Sequence, residues 1–298
     1  MFKNLIVYKI APSWVASVAQ VEEGLDRERF TECAASQEKS TGWVEPRGQS
    51  HGALVEAVDG QLMLKLMVET RILPAAVVNR KLKERLAQME ASAGRKPGKK
   101  ETREIKDDVR LALLPQTFTK QTAIAVWIDP QAQLLLIDTA SQAKADEVVT
   151  ALVKALTGIA LALLNTQVSP RAAMAQWLIS QQPPAGFSVD RECELKAADE
   201  SQAVVRYARH PLDNDEVKQH VADGKLPTRL ALTWRSRVSF VLTENLQLKK
   251  LAFLEVVFEG APDGQDDGFD ADFAIATGEL RRLVPDLLEA LGGDQGSR

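Results

Sequence analysis

The spacing of apolar residues predicts both strands and amphipathic helices along this chain. Short or alternating apolar runs bounded by turn residues are typical of strands, and apolar residues three or four apart are typical of helices. Strands are predicted over 5–10, 53–58, 61–70, 122–129, 134–138, 229–234, 237–243 and 247–258. Helices are predicted over 14–26, 74–93, 101–114, 143–156, 171–179 and 279–291, with one more beginning near 213. Because the strands come in hairpins separated by helices, without regular βαβ alternation, the pattern favours an α+β fold with antiparallel sheets and packed helices.

Two consecutive helices joined by a charged loop predict a protruding helical hairpin. Pro74 is placed in the first turn of the first helix, where its missing N–H does no harm, and Gly94 ends that helix. The second helix ends before Pro115. The tip of the hairpin is the basic segment RKPGKK at 95–100. Apolar residues form a stripe on each helix, at Val78, Leu82, Leu86 and Met89 and at Ile105, Val109 and Leu113.

Length and one linker signal predict how the chain divides. The chain has 298 residues, enough for about two domains, and its 45% hydrophobic and 26% charged residues are typical of a globular protein. The segment QQPPAG at 181–186 is the best linker candidate. We predict an N-terminal α+β region at 1–74 together with 115–165, the helical hairpin at 75–114, and a C-terminal α+β region at 166–298.

Sequence signals of compartment point to the cytoplasm. No apolar run is long enough to span a bilayer, and the run at 155–164 is expected to form a buried helix. The N-terminus lacks a small-residue cleavage site and is predicted to be a strand rather than a signal peptide. Cys33 and Cys193 lie far apart without a CxxC partner, which is typical of unpaired thiols in a reducing compartment. We predict a cytoplasmic protein with no membrane role.

Charge is segregated along the chain. Residues 71–125 carry thirteen Lys/Arg against six Asp/Glu, whereas residues 251–298 carry three against eleven, in a chain of net charge −4. A phosphate backbone responds to local potential rather than to net charge, so the basic block is a candidate polyanion-binding surface. A solvated helical hairpin without a ligand explains the same charges equally well.

Motifs for catalysis or for a cofactor are missing from the sequence. No phosphate-binding GxxxxGK[ST], GxGxxG, HExxH, GxSxG or paired CxxC occurs, and the three histidines are scattered. The acidic segment at 263–268 departs from a calcium loop, because Gln265 and Ala274 replace ligands. The carboxylates of 263–272 could hold Mg²⁺ in a nuclease-like site; the alternative is a solvated acidic loop that leads into a strand. We predict a protein without catalytic activity or cofactor.

Backbone-directed DNA binding is better supported than base recognition. The hairpin cations could neutralise several phosphates, and a second basic cluster is predicted at a strand end, at Arg206, Arg209 and His210. Tyr207 could stack on a base or pack against the core. With only 5% aromatic residues, no interleaving of basic and aromatic residues resembles a single-strand-binding platform.

Several segments together resemble the bacterial recombination-associated RdgC family from end to end. The segments are FKNLIVYKI at the start, GWVEPRG at 42–48, ILPAAVVNRKLKERLA at 72–87, LLPQTFTKQTAIAVWID at 113–129, FDADFAIATGEL at 269–280 and the terminal LVPDLLEALGG. The resemblance implies a nucleoid-associated DNA-binding protein without known catalytic activity. Its monomers would be horseshoe-shaped and would pair into a homodimeric ring around duplex DNA, with little sequence preference, single strands being a further possible ligand. The family is associated with restraining RecA, so a module that binds RecA directly is an alternative.

The resemblance also implies roles for single residues. Arg95, Lys96, Lys99 and Lys100 would contact phosphates from the hairpin loop, with Lys81, Lys83 and Arg85 in support, although a helix spreads the last three over more than one face. Arg209 and His210 fall in a second basic loop, beside Arg206. Phe118 matches an apolar residue of the ring-closing interface, and ordinary core packing is its alternative.

Overall fold

The structure, a computed structural model, describes residues 2–259 and 268–296. These residues form twelve strands and seven α-helices. The strands are β1 Ile6–Ile10, β2 Lys39–Val44, β3 Val55–Val58, β4 Gln61–Arg71, β5 Thr119–Asp129, β6 Leu134–Ile137, β7 Leu161–Leu163, β8 Phe187–Ala197, β9 Val204–Ala208, β10 Lys225–Trp234, β11 Val238–Thr243 and β12 Leu248–Phe253. The helices are α1 Val18–Asp26, α2 Ala75–Ala93, α3 Lys99–Leu113, α4 Gln142–Ala155, α5 Pro170–Ser180, α6 Asp215–Ala222 and α7 Gly268–Ala290.

The strands form two antiparallel sheets. The first has seven strands in the order β2-β4-β5-β6-β1-β7, with β3 paired to the first half of β4. The second has five strands in the order β12-β11-β10-β8-β9. All pairings between named strands are antiparallel, which confirms the predicted fold class.

The N-terminal segment joins the two sheets. Leu5 exchanges backbone hydrogen bonds of 2.8 and 3.0 Å with Leu248 of β12, and the Leu251 N–H donates to the Lys3 carbonyl at 2.8 Å. The chain then continues as β1, which pairs with β6 and β7 of the seven-stranded sheet. One extended segment therefore hydrogen-bonds to both sheets and sets how they meet.

Apolar residues lie on both faces of the seven-stranded sheet. On one face, residues such as Leu64 and Val126 pack with α1 and α4. On the other face, Trp127 and Leu136 share a second core with the five-stranded sheet, α5, α6 and α7. A fully buried large apolar side chain contributes roughly 1.5–3 kcal/mol, so these two cores supply most of the driving force for folding. Leu280 of α7, which is completely buried, belongs to the core between the sheets.

Three predicted elements differ from the structure. The buried helix expected over 155–164 is wrong, because α4 ends at Ala155 and residues 161–163 pair with β1 as a strand. The strand expected to follow the acidic loop is instead the start of α7, whose core-facing residues recur at helical spacing. The strand expected over 247–258 ends at Phe253, and a 3-10 helix follows at Glu255–Val257.

Two further strands, β2 and β8, were not predicted because their sequences are polar or contain glycine. In β8, buried Cys193 and Leu195 alternate with charged residues that stay partly exposed. In β2, Gly42 lies against the segment 28–30, which pairs in parallel with Trp43, and a Cβ at Gly42 would lie 2.4 Å from the Phe30 Cα. A glycine is required at that close approach, although glycine weakens a strand when judged from sequence alone.

Candidate nucleic-acid interface

The basic block forms a helical hairpin that packs mainly on itself. Within the described chain, which includes both helices in full, Val78 is the only buried residue of α2, and α3 has none. Half-exposed apolar residues form the seam between the two helices: Leu82, Leu86, Met89, Ile105, Val109 and Leu113. Gly94 ends α2 with φ of 66°, a left-handed conformation that glycine adopts without strain. The hairpin therefore exposes most of its polar surface to solvent.

Arg71, at the end of β4, attaches the base of the hairpin to the body. Its guanidinium donates to the carbonyls of Leu114 and Thr117 just after α3, both at 3.2 Å. It also donates to the carbonyls of Cys33 and Ala34, at 3.3 and 3.2 Å. Four carbonyls from two segments thus converge on one planar side chain, which suits the fork geometry of arginine.

The predicted tip residues are exposed and weakly paired. Arg95 lies 3.0 Å from Glu101, and this hydrogen bond lowers the pKa of the Glu101 carboxyl. Lys96 and Lys100 are 81% and 92% exposed, and their nearest carboxylates are at 3.9 and 4.0 Å. Such exposed pairs contribute little free energy, so a phosphate can replace the carboxylate at small cost.

A row of cations runs along one face of α3. Lys99, Arg103, Lys106 and Arg110 recur at intervals of four, three and four residues, which places them on the same side of the helix. At 1.5 Å per residue this row is about 16 Å long. Arg103 and Lys106 were missing from the residues singled out in the sequence, although their helical spacing was a signal that could have found them. Several hairpin cations form no ion pair with any described residue: Arg80, Lys83, Arg85, Lys99, Arg103 and Lys106.

The basic residues of α2 are divided between two sides of the hairpin. Lys81 and Arg85 line a groove of about 600 Å³ between the helices, together with Asp108 of α3. Lys83 is not among the residues that line this groove, and helical spacing turns it away. The expected spread over more than one face is therefore present. The Lys81 Nζ lies 2.8 Å from the Glu84 Oε2 and forms an ion pair with it.

The second basic cluster lies on β9 and directly after it, at the edge of the five-stranded sheet. The Arg206 Nε lies 2.6 Å from Glu194, and Arg206 is 73% exposed. Partial burial raises the pKa of the Glu194 carboxyl, but hydrogen bonds from Arg206 and Thr228 and the nearby Arg229 outweigh burial and lower it overall. Arg209 is exposed at a positive φ of 56°.

Two ring side chains of this region, those of His210 and Tyr207, form hydrogen bonds within the protein. The His210 Nδ1 lies 2.7 Å from the Pro211 carbonyl. The Tyr207 ring is buried, and its hydroxyl donates to Glu216 at 3.0 Å. Burial, followed by the Glu216 carboxylate, raises the pKa of Tyr207 to about 12. Of the two alternatives for Tyr207, the structure shows core packing rather than a ring that is free to stack on a base.

Phe118, between the hairpin and β5, is the most exposed aromatic residue near the hairpin base. It is 86% exposed, so core packing within one chain is not its role. Its carbonyl accepts from the N–H of Ile72, which is 51% exposed. Residues opposite each other in an antiparallel pair point to the same face, so the two side chains form one apolar patch.

The described part of the acidic segment does not assemble a metal site. Asp263, Asp266 and Asp267 lie outside the described residues. Asp270, at the start of α7, pairs with Arg47. Within residues 2–259 and 268–296, no three His, Cys, Asp or Glu residues are grouped so that they could hold a metal ion. In the same ranges, no helix combines the length and apolarity needed to cross a membrane.

Comparisons with known proteins agree over almost the whole chain. Residues 1–294 match a family model described as "RdgC: Putative exonuclease, RdgC". The chain is 48% identical to the recombination-associated protein RdgC of Dechloromonas aromatica over 299 residues, 98% of each chain. It is 46% identical to the protein of the same name from Cupriavidus pinatubonensis over 297 residues, 99% of each. For Herminiimonas arsenicoxydans the identity is 42% over 300 residues, 100% of this chain and 99% of its relative. These matches confirm the resemblance found in the sequence, and the chain belongs to the RdgC family.

Proposed function

We propose that this protein binds duplex DNA without sequence preference and takes part in recombination through that binding. The observation that carries the proposal is the set of exposed hairpin cations that have no carboxylate partner among the described residues, foremost Lys99, Arg103 and Lys106 of the row on α3. Cations that are not neutralised within the protein release counterions from a phosphate backbone when they bind. The row consists of Lys and Arg on a hairpin whose sequence contains no aromatic residue, so it suits contacts to phosphates rather than stacking on unpaired bases.

The proposed assembly is a homodimeric ring of horseshoe-shaped monomers, in which the hairpin cations and the cluster at Arg206, Arg209 and His210 face the DNA. The apolar patch of Phe118 and Ile72 supports it, since exposed aromatic residues of this kind are typical of protein interfaces. Relatives are named recombination-associated proteins, which supports a role beside RecA at the nucleoid in the cytoplasm. The ring would cover DNA, which is the substrate of RecA, and would restrain RecA in this way.

The proposed mechanism needs no catalysis, and the family description as an exonuclease gives the competing function. Carboxylates near the start of α7 would have to hold Mg²⁺ in that case. Purified protein incubated with linear and circular plasmid and Mg²⁺ separates the two functions. Degradation that stops in an Asp270→Asn/Asp272→Asn variant would refute the non-catalytic proposal, whereas intact DNA under binding conditions supports it.

Fluorescence anisotropy with random-sequence duplexes tests the binding proposal. We expect a steep fall of affinity with salt, similar for unrelated sequences. The variant Lys99→Gln/Arg103→Gln/Lys106→Gln should flatten the log–log salt slope by about one unit for each phosphate that is no longer neutralised. The tip variant Arg95→Ala/Lys96→Ala should act in the same direction, and a labelled single strand shows whether duplex is preferred.

A matched control removes the same charge from another surface. Arg27, Lys144 and Lys154 are exposed on α1 and α4 or directly beside them. Their triple replacement by Gln changes net charge as much as the α3 variant does. If both variants weaken binding equally, binding depends on net charge alone, and the proposed interface is wrong.

A further inference from the structure

A small pocket lies between the seven-stranded sheet and α7, beside the core that the two sheets share. Its volume is about 200 Å³. Five apolar side chains form its walls: Trp127 of β5, Leu134 and Leu136 of β6, and Leu280 and Val284 of α7. An engineered cavity of about 150 Å³ with apolar walls stays dry and binds benzene. The pocket is therefore large enough for one aromatic ring.

The charged groups at the rim of this pocket are paired with each other. Asp129, at the end of β5, is 1% exposed, and its Oδ2 lies 2.9 Å from the Arg281 Nε. Its Oδ1 accepts from the backbone N–H groups of Gln131 and Ala132 at 3.0 and 2.9 Å. Among the described lining residues, Arg281 is the only cation and Asp129 the only anion. Because these two charges neutralise each other, an uncharged ligand suits the pocket better than an ion, whose desolvation would not be offset.

Pro285 leaves a backbone acceptor in the wall of the pocket without its helical partner. It lies inside α7, where a proline has no N–H to donate to the carbonyl four residues earlier, which is that of Arg281. Among the described residues, no backbone group outside α7 donates to this carbonyl. Arg281 and Pro285 both line the pocket, so the carbonyl between them lies at its helix wall. Backbone carbonyls are strong acceptors, and a ligand with a hydroxyl or N–H group would supply the donor.

We propose that this pocket binds a small uncharged aromatic molecule that carries one hydroxyl or N–H donor, of the phenol or indole class. The ring would pack between Trp127 and the face of α7 formed by Leu280 and Val284, and the donor would pair with the Arg281 carbonyl. Contact between two aromatic rings adds to the free energy gained from burial. The described lining contains no residue of the hairpin, so ligand binding here does not depend on the proposed DNA binding.

The test is an NMR titration of the full-length protein, labelled at the methyl groups of Leu and Val. The probes are phenol and toluene, which have the same ring and nearly the same size but differ in the hydroxyl donor. We expect both to bind with dissociation constants in the millimolar range or below, and to shift the methyl signals of Leu134, Leu280 and Val284 most. Thermal unfolding should move to higher temperature with either probe, because a ligand that binds only the folded state stabilises it.

Two variants test the acceptor and the location of the site separately. Pro285→Ala supplies an N–H to the Arg281 carbonyl, and alanine favours a helix, so the protein should stay folded. It should weaken phenol binding about threefold or more and change toluene binding by less than about twofold, because only phenol loses a hydrogen bond. Ala132→Trp, at the exposed rim, should abolish binding of both probes. Ala140→Trp is the matched control, since it is exposed beyond the other end of β6, and it should leave both affinities unchanged.

Three results would overturn the proposal. One is a titration in which millimolar phenol and toluene leave the methyl signals of the pocket unshifted. The second is binding of toluene without phenol, or phenol binding that Pro285→Ala leaves unchanged, because the pocket would then offer no acceptor. The third is binding that survives Ala132→Trp, because the probes would then lie elsewhere. The α3 triple variant should keep phenol binding, which separates this test from that of DNA binding.

Discussion

Replacement of Arg71 by alanine tests how the hairpin is held to the body. The side chain is half-buried, and its guanidinium donates four hydrogen bonds of 3.2–3.3 Å to carbonyls. A hydrogen bond contributes about 0.5–1.5 kcal/mol net, and bonds of this length from a partly solvated group belong in the middle of that range. With partial rehydration of the freed carbonyls, we expect a loss of about 3 kcal/mol in the free energy of unfolding.

The loss should concentrate at the hairpin base. Two of the four carbonyls belong to Leu114 and Thr117, directly after α3, so their release loosens the hairpin relative to the sheets. Urea unfolding measures the free energy, and hydrogen exchange followed by mass spectrometry should show faster exchange over 72–118. DNA affinity should fall with an almost unchanged salt slope, because the row of cations on α3 remains.

Arg110→Ala is the matched control. It removes an arginine from the same base, but its pair with Glu38 at 2.8 Å is solvent-exposed, so the cost should stay below about 1 kcal/mol. Arg71→Lys keeps the charge but loses the planar fork and should fall between the two. A loss below about 1 kcal/mol for Arg71→Ala, with unchanged exchange over 72–118, would refute the view that this residue fixes the hairpin.

Three further predictions concern single side chains. Phe118→Ser should lower the dimer fraction in light scattering without loss of thermal stability, since 86% of the side chain is exposed; an unchanged dimer would contradict its interface role. Ellman's reagent should label half-exposed Cys33 before Cys193, whose burial raises the pKa of the thiol to about 12; equal rates would disprove this order. Folding raises the pKa of Tyr207 to about 12 from an unfolded value near 10. Its contribution to stability is therefore complete below about pH 10 and is lost as pH rises toward 12, and Tyr207→Phe should remove this loss in unfolding measured between pH 9 and 12.

Local patterns predicted the hairpin and much of the first sheet because their signals are contained in short segments. Asp59-Gly60 lies between β3 and β4, as expected of a hairpin turn. The helix predicted over 74–93 is observed at Ala75–Ala93, with Pro74 as its N-cap. In β8, buried residues alternate with acidic residues, and the acidic residues are stabilised by partners on other strands, such as Arg206. For this reason β8 was not predicted from its own sequence. Such partners cannot be identified from β8 alone.

The proposed interface residues also divide into those whose position follows from local spacing and those whose position depends on the fold. Spacing on α3 is enough to place Lys99, Arg103 and Lys106 on one face, since a helix fixes the angle between its own residues, although only Lys99 of the three was singled out from the sequence. The sequence could not determine that Tyr207 is buried or that Phe118 is exposed, because both facts depend on neighbours distant in the chain. The division into three regions stays a prediction.

The sequence by itself determined the family, the α+β class and the charged hairpin, because these depend on order, period and local composition. Only the tertiary structure decided that the N-terminal segment serves both sheets, through the bonds of Leu5 to Leu248, and that β5, β6 and α7 form the walls of one apolar pocket. The physical reason is that sheet pairing and burial depend on interactions between residues far apart in the chain. No local pattern encodes such interactions, and the folded chain alone brings those residues together.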